Sequence, residues 1–461
     1  MKEIQRQSRW LVMVAVLIAL SAFCLAKDAP RWIAIEGVTL IDGTGRAPVP
    51  DAVVLIQGDR ISAVGKRGAV RIPRHAELIR ACGKFLLPGL IDCHCHLEGV
   101  GLGDLGELPE EWETPGKLRE LILDNARLEL ASGFTTVRDL GSTPLIFQVR
   151  DEINQGKEPG PQVWAAGQQL VKKSADAYMD PMFLEYERPE NGRSQVQHLV
   201  EMGADVIKVR LTSQRPLPSL EELRAIVEEA HRLGRRVAVH TDVPADKAVQ
   251  LAIDGGADGI EHNAPLRAGD QVLEEMAARH MFVIAGAGSF YVQRYQSANP
   301  LAMVDAPARQ VFPPTVVSAL EKAAVALGQQ TGEMKKQGWE PVQVQARFVR
   351  QVQRARQVGV LLGFGTDCGG ELMIHGQQYK ALYGETQMGS SAMEAILMAT
   401  RDAAEILGLG KDLGTVEPGK IANLVIFDAD PLADMHNLGR VHAVMKSGKL
   451  YRPAELIPPK K

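Results

Sequence analysis

Between residues 32 and 87 apolar positions fall in short alternating runs, WIAIEGVTLIDGTG and AVVLIQGDRISAVG, separated by turn residues such as Gly58-Asp59. A period of two with no helical stretch predicts β-hairpins. The same texture returns near the other end, in ANLVIFDAD and in HAVMKSGKLY with its turn at Ser447-Gly448. Neither end carries enough strands to be stable alone, so the two are expected to pair into one small β domain built from residues 27–87 and 412–461.

Between them, over residues 88–411, short apolar runs alternate with longer amphipathic ones. Eight candidate strands stand at 89–96, 134–138, 162–166, 205–210, 236–240, 259–262, 281–285 and 359–366. The clearest helix between them is SLEELRAIVEEAHRLG, where Ser219 and Glu222 form a capping box and Gly234 supplies the stop. Eight such units predict an α/β fold, a (β/α)8 TIM-like barrel. A doubly wound open sheet is the alternative, although the G-x-G-x-x-G turn of its dinucleotide-binding version is missing. A helical insertion is expected at about 289–357. It would either cover the barrel mouth as a lid or form a peripheral decoration or oligomer contact; the sequence fits both.

Of the 461 residues, 45% are hydrophobic and 23% charged, which is ordinary for a folded protein with a large core. The net charge of −4 argues against a nucleic-acid partner, which would call for a broad basic footprint. Five cysteines are too few for a disulfide scaffold in so long a chain. At the start, Lys2, Arg6 and Arg9 precede an uncharged stretch from Trp10 to Ala22, and Cys24-Leu25-Ala26 offers small residues for cleavage. Residues 1–26 thus read as a signal peptide, with export to the periplasm or the cell exterior and no membrane span after cleavage. The alternative is an uncleaved amino-terminal membrane anchor.

The chemistry-bearing residues cluster at strand ends. His94 and His96 close the first barrel strand in LLPGLIDCHCHL, and residues two apart on a strand share a face, so both imidazoles can converge on one ion. Alone the pair means little, because 11 histidines in 461 positions give an H-x-H in about one chain in four. The same alternation turns Cys93 and Cys95 the other way, as core thiols outside any shared site with the histidines. Lys208 in ADVIKVRL, His240 ending VAVH, His262 ending GIEH and Asp367 after LLGFGT also fall at or near the carboxyl ends of their strands. A barrel places its active site on that rim.

These motifs resemble the amidohydrolase superfamily of metal-dependent hydrolases, in its prolidase-like and imidazolonepropionase-like branch. The matching stretches are LLPGLIDCHCHL, ASGFTTVRDLG, GADVIKVR, EEAHRLGRRVAVH, GGADGIEH, GFGTD and the tail from ATRDAAEILGLG to ANLVIFDADPL. The resemblance implies a barrel beside a sandwich made from both termini, a two-metal centre and hydrolysis of C–N bonds. It implies that His94, His96 and Asp367 hold one ion, that His240 and His262 hold the other, and that Lys208, carboxylated by CO2, bridges them. Zn2+ suits such imidazole-rich sites, with manganese, cobalt or iron compatible with the same ligands.

The expected activity is cleavage of a small amide or peptide, in dipeptide-like or N-acyl amino acid substrates, by hydroxide generated at the metals, with Asp367 moving the proton. The alternatives are a cyclic amide hydrolase, or a phosphoester or lactone hydrolase on the same site. Arg210, on the lumen face with Lys208, is a candidate clamp for a substrate carboxylate, and Tyr291, Arg294 and Tyr295 are weaker candidates. The third-strand region, GQQLVKKSADAYMD, lacks the histidine of many relatives, and no tyrosine closely follows Lys208. A homo-oligomer is compatible with all of this.

Overall fold

The computed structural model describes residues 31–457 except 103–113, 175–179, 242–244, 296–300, 302–303, 305, 339 and 371. The expected signal at 1–26 lies outside the described residues. Among the described ones, no helix is long and apolar enough to cross a membrane.

The chain begins with β1 (Trp32–Leu40), β2 (Val49–Gln57), β3 (Arg60–Lys66), β4 (Glu77–Arg80) and β5 (Phe85–Pro88). There follow β6 (Leu90–Cys95), β7 (Phe134–Asp139), β8 (Gln162–Ala165), β9 (Gln169–Lys172), β10 (Phe183–Tyr186), β11 (Val206–Leu211), β12 (Arg236–Thr241), β13 (Gly259–Glu261), β14 (Phe282–Ala285) and β15 (Leu361–Phe364). The chain then adds β16 (Leu424–Phe427), β17 (Val441–Lys446) and β18 (Lys449–Tyr451).

Both ends share one sheet, in the order β18-β17-β16-β5-β1-β2-β3 with β4 paired to β1. The junction is β5 with β16, antiparallel, with Leu86 opposite Ile426. Ile33, Ile35, Val54, Ile56, Leu86, Leu424, Ile426 and Met445 form the buried core of this unit. The hairpin expectation holds for β1-β2-β3, but β4 and β5 run parallel to β1. The change of partner along β1 falls at Gly37, at φ +83°, where a Cβ would come within 2.6 Å of Cys82 Sγ. The register of β1 breaks there, its first half pairing with β4 and its second half with β5.

All eight expected barrel strands are present, as β6, β7, β8 and β11 to β15. They form two parallel sheets, β6-β7-β8 and β10-β9-β11-β12-β13-β14-β15. At one seam the Asp205 amide donates to the Ala165 carbonyl at 2.9 Å. At the other, Asp367 N–H reaches His94 O at 2.8 Å and His96 N–H reaches Cys368 O at 2.7 Å. β9 and β10 are additions that the sequence pattern did not reveal, each only four residues long.

The capping box is present: Ser219 Oγ accepts the Glu222 amide and Glu222 accepts the Ser219 amide, opening the helix Leu220–Arg232. The interval 289–357 is helical, but its last helix, Pro341–Val358, leads directly into β15 and bonds the helix Asp270–Ala278 through Gln351 and Asp270. That helix stands where the crossover before the eighth strand belongs. The helix Ala287–Tyr295 lies against the barrel mouth, with Ser289 Oγ donating to Thr366 O at 2.7 Å.

Candidate metal centre

The end of β6 aims two imidazoles into the lumen, and each ring is fixed from behind. His94 Nδ1 donates to Glu261 Oε2 at 2.7 Å, and Glu261 Oε1 accepts Arg138 Nη2 at 2.7 Å. Arg138 Nε in turn donates to Cys93 O at 2.6 Å. His96 Nδ1 faces the Gly141 carbonyl at 3.0 Å. A carbonyl only accepts, so Nδ1 carries the hydrogen and Nε2 presents its lone pair to the lumen, the tautomer that ligates a cation.

Asp367 faces both rings, with Oδ1 3.1 Å from His96 Nε2 and 3.5 Å from His94 Nε2. The candidate ligand atoms of His94, His96 and Asp367 all lie within 4.8 Å of one another. Two acceptors facing each other at about 3 Å repel unless a cation or a proton stands between them. Burial works against the Asp367 charge, but a proton on His96 Nε2, hydrogen-bonded to the carboxylate, and the Lys208 charge outweigh it and hold the carboxyl well below its ordinary range; a cation would take the place of that proton. Burial also depresses His94 and His262 well below their ordinary values, assisted by Lys208 and neighbouring histidines. Those two rings are therefore neutral, as ligands must be.

Lys208, fully buried on β11, brings Nζ to 3.5 Å from His94 Nε2. Burial lowers its amine to about 8, against the pull of Glu261 and Asp367. His240 is the last residue but one of β12 and His262 follows β13; their ring centroids are 4.7 Å apart, and His262 is 4.5 Å from His94. The four imidazoles thus run His96, His94, His262, His240 around one rim, with Asp367 against His96 and His94 and Lys208 against His94. His262 and Asp367 have positive φ, +66° and +60°, which a non-glycine residue adopts only at a cost. Two of the six convergent side chains thus stand on backbone of the kind that clusters at functional sites. The donor set, neutral imidazoles with one ionised carboxylate and a deprotonatable amine, fits divalent cations of the zinc type.

Arg210 pairs in register with His240. Its guanidinium stacks on Phe183 of β10 at 5.6 Å, and its Nε has no hydrogen-bond partner among the described residues. Tyr291 meets Tyr383 edge to face, and Arg294 bonds Gln330 of the helix Pro314–Lys336 at 3.0 Å, so both serve helix packing. The side chain of Tyr295 lies outside the described residues. Cys93 and Cys95 are fully buried in core clusters away from the rings, as the alternation requires.

The sequence reading missed Glu261, Arg138 and Phe183. A signal existed for Arg138: charged residues ending the apolar strand TTVRD imply buried partners.

Comparison with known proteins gives a family and a fold. The family model described as the amidohydrolase family matches residues 85–451. A 5-methylthioadenosine/S-adenosylhomocysteine deaminase of Symbiobacterium thermophilum is 25% identical over 425 residues, 86% of this chain and 85% of the relative. An imidazolonepropionase of Fusobacterium nucleatum is 22% identical over 471 aligned positions, 94% of this chain and 98% of the relative. The crystal structure of a Xaa-Pro dipeptidase with methionine bound in its active site superposes with a TM-score of 0.72 at 26% identity, covering 91% of this chain and 100% of that one.

Proposed function

Because the chain belongs to the amidohydrolase family and is a hydrolase acting on carbon–nitrogen bonds, we propose that it is a binuclear metal-dependent enzyme cleaving the amide of dipeptide-like or N-acyl amino acid substrates. The observation that carries this reading is the convergence of four imidazoles, a buried lysine and an ionised aspartate on one rim of the barrel. His94, His96 and Asp367 would hold one divalent ion, and His240 and His262 the other, with zinc the best match to the donors. Lys208 would bridge them as a carbamate. Its neutral amine nitrogen bonds the carbon of CO2, one proton leaves to water, and an anion with two oxygen donors replaces a cation that two dications would repel. When bound, the ions supply Lewis acidity, polarising the scissile carbonyl and lowering the pKa of water from about 15.7 toward neutrality.

The remaining work falls to side chains. Asp367, held ionised, accepts the proton of the attacking water at a carboxylate oxygen and delivers it to the departing nitrogen, so the leaving group exits as a neutral amine. Glu261 and the Gly141 carbonyl keep His94 and His96 in the ligating tautomer. Arg210, its plane set by Phe183, offers N–H groups to a substrate carboxylate. A dipeptidase with an amino acid in its active site as a structural relative supports that substrate class.

We also propose export, on the basic and then apolar pattern of residues 1–26. The test of function is amino acid release from a panel of dipeptides and N-acyl amino acids by protein loaded with zinc, manganese or cobalt, with metal counted per chain. Two ions and turnover of this panel are expected; metal uptake with no turnover of any member would sink the substrate class. The second reading is ring-opening of a cyclic amide, favoured by the Fusobacterium imidazolonepropionase matched over 94% of this chain. Hydantoins and lactams in the same panel decide between the two.

A further inference from the structure

Behind the rim, a second group of buried ionisable side chains has no part in the chemistry above. Glu129, in the helix Pro115–Ala131, and His375, in the segment leaving β15, are both fully buried. His375 Nδ1 lies 2.5 Å from Glu129 Oε1, and its Nε2 lies 3.1 Å from the carbonyl oxygen of His96. Cys368 completes a trio whose candidate ligand atoms all fall within 4.8 Å.

The trio has the composition of a metal site but not its geometry. Two donors on one tetrahedral zinc, each at about 2.0–2.2 Å, stand roughly 3.3–3.5 Å apart. A separation of 2.5 Å is that of a strong hydrogen bond. Glu129 and His375 therefore share a proton. The carbonyl of His96 can only accept, so His375 Nε2 must carry a hydrogen and donate it. The ring is thus a strut, with one nitrogen anchored in the first barrel helix and the other gripping the backbone of a residue in the metal-centre constellation.

What the strut braces is the seam between β6 and the exit from β15. Among the described residues five hydrogen bonds cross it: Thr366 N–H and Oγ to the Asp92 carboxyl, Asp367 N–H to His94 O, His96 N–H to Cys368 O, and His375 Nε2–H to His96 O. Backbone contact there is so close that a Cβ on Gly369, at φ +92°, would stand 2.2 Å from His96 O. The other four lie where residues 366–368 leave the barrel; farther along the segment, among the described residues, Gly369 and Leu372 bond the Gly101 backbone and His375 returns to His96.

We infer that the Glu129–His375 dyad is a positioning device for the half of the metal centre formed by His94, His96 and Asp367, acting through the His96 carbonyl. This rests on the metal-hydrolase reading. Glu129 and His375 are positioning residues, since neither faces the lumen donors. Disturbing them should loosen cation binding without removing a ligand.

Two substitutions separate this from a merely structural role. In His375→Asn the amide nitrogen stands near Nδ1, keeping the bond to Glu129 and losing the one to His96. In His375→Gln it stands near Nε2, keeping the His96 bond and weakening the Glu129 one. The readout is zinc retained per chain during dialysis of the full-length protein against graded chelator, beside the thermal midpoint and turnover. His375→Asn is expected to bind one zinc about 10–100-fold more weakly, while His375→Gln stays within about threefold of wild type. A structural role predicts the reverse order, because His375→Gln weakens the one bond that holds the buried Glu129. Zinc retention in His375→Asn equal to wild type, or losses in both variants that follow the thermal midpoint, would overturn the inference. Should His375→Asn not fold, Glu129→Gln replaces it: a neutral pair keeps both ring contacts, so retention within about threefold is expected and loss beyond tenfold overturns the proposal. Wild-type protein that takes up no zinc would instead sink the metal-hydrolase reading beneath it.

Discussion

Glu261 Oε2 accepts the Nδ1 hydrogen of His94 at 2.7 Å, while the other oxygen of the same buried carboxylate takes Arg138 Nη2 at 2.7 Å. One anion therefore serves a candidate ligand and neutralises a buried cation. Glu261→Gln should separate the two duties. Arg138 is left as an uncompensated buried charge, at a cost of about 3–5 kcal/mol of stability. His94 faces an amide in place of a carboxylate, and zinc affinity should fall about 10–100-fold. Adding Arg138→Met should recover much of the stability and none of the affinity. Denaturant midpoints with chelator titration read both effects, and an unchanged midpoint in Glu261→Gln would mean that Arg138 is neutralised elsewhere.

Lys208 is a buried amine among groups that would all face cations, and as an ammonium it would oppose them. Lys208→Met keeps the volume and removes the nitrogen. The variant should fold, hold fewer than two ions per chain and lose at least about 10³-fold in kcat, in line with the loss of a bridging anion at a reacting centre. Metal analysis with single-turnover assays checks this. Full metal content in Lys208→Met would remove the bridging role, and a carbamate carbon resonance from intact enzyme equilibrated with 13C-labelled bicarbonate, absent in the variant, would support it directly.

Glu385 sits buried in the helix Gln378–Gln387, with Oε1 accepting the Gly288 amide at 2.7 Å. Burial pushes its carboxyl up to about 7, while the Gly288 amide and the Arg356 charge pull the other way. A folded-state value above the ordinary 4.5 means that the folded protein holds a proton the unfolded chain has released. Stability therefore falls as pH rises from about 4.5 to about 7, by roughly 3 kcal/mol in all, and stays lower beyond. Glu385→Gln keeps the acceptor for Gly288 and cannot ionise. Its advantage over wild type should open across that window and be flat above it. Equal differences at pH 5 and pH 8 would show that Glu385 does not titrate there.

Much of this architecture was legible in the sequence because period and spacing carry it. The alternation in LIDCHCH sends His94 and His96 to one face and Cys93 and Cys95 to the other, and strand-end placement brings Lys208, His240, His262 and Asp367 to the same rim. The supporting partners were not legible. Glu261 reaches back from β13 to β6, and His375 reaches from the segment after β15 to Glu129, 246 positions away in the chain. Such pairings depend on which strands close the barrel, and no local pattern encodes that. The parallel pairing of β4 and β5 with β1 was hidden for a related reason, because one strand serves two partners on either side of a break at Gly37.

On the proposed function, Arg210 would select for substrates with a free carboxylate. Its neighbour Arg215 also stacks on Phe183, at 5.5 Å, but is tied down by Glu185 at 2.6 Å and by the Lys172 carbonyl at 3.1 Å. Arg210 shares the aromatic face, lies in register with His240, and keeps a buried Nε–H without a hydrogen bond among the described residues. A buried, unsatisfied cationic donor is costly, and an incoming carboxylate would satisfy it. Arg210→Met should raise KM about 10²-fold for a dipeptide with a free carboxyl terminus, with a smaller change in kcat. The carboxamide of the same dipeptide should respond to the substitution by less than about threefold. Arg210→Lys should fall between, because it keeps the charge and loses the planar fork. The discriminating quantity is the acid-to-amide ratio of kcat/KM. If that ratio is the same in wild type and in Arg210→Met, the carboxylate is held elsewhere, and Arg210 is reduced to a stacking partner of Phe183.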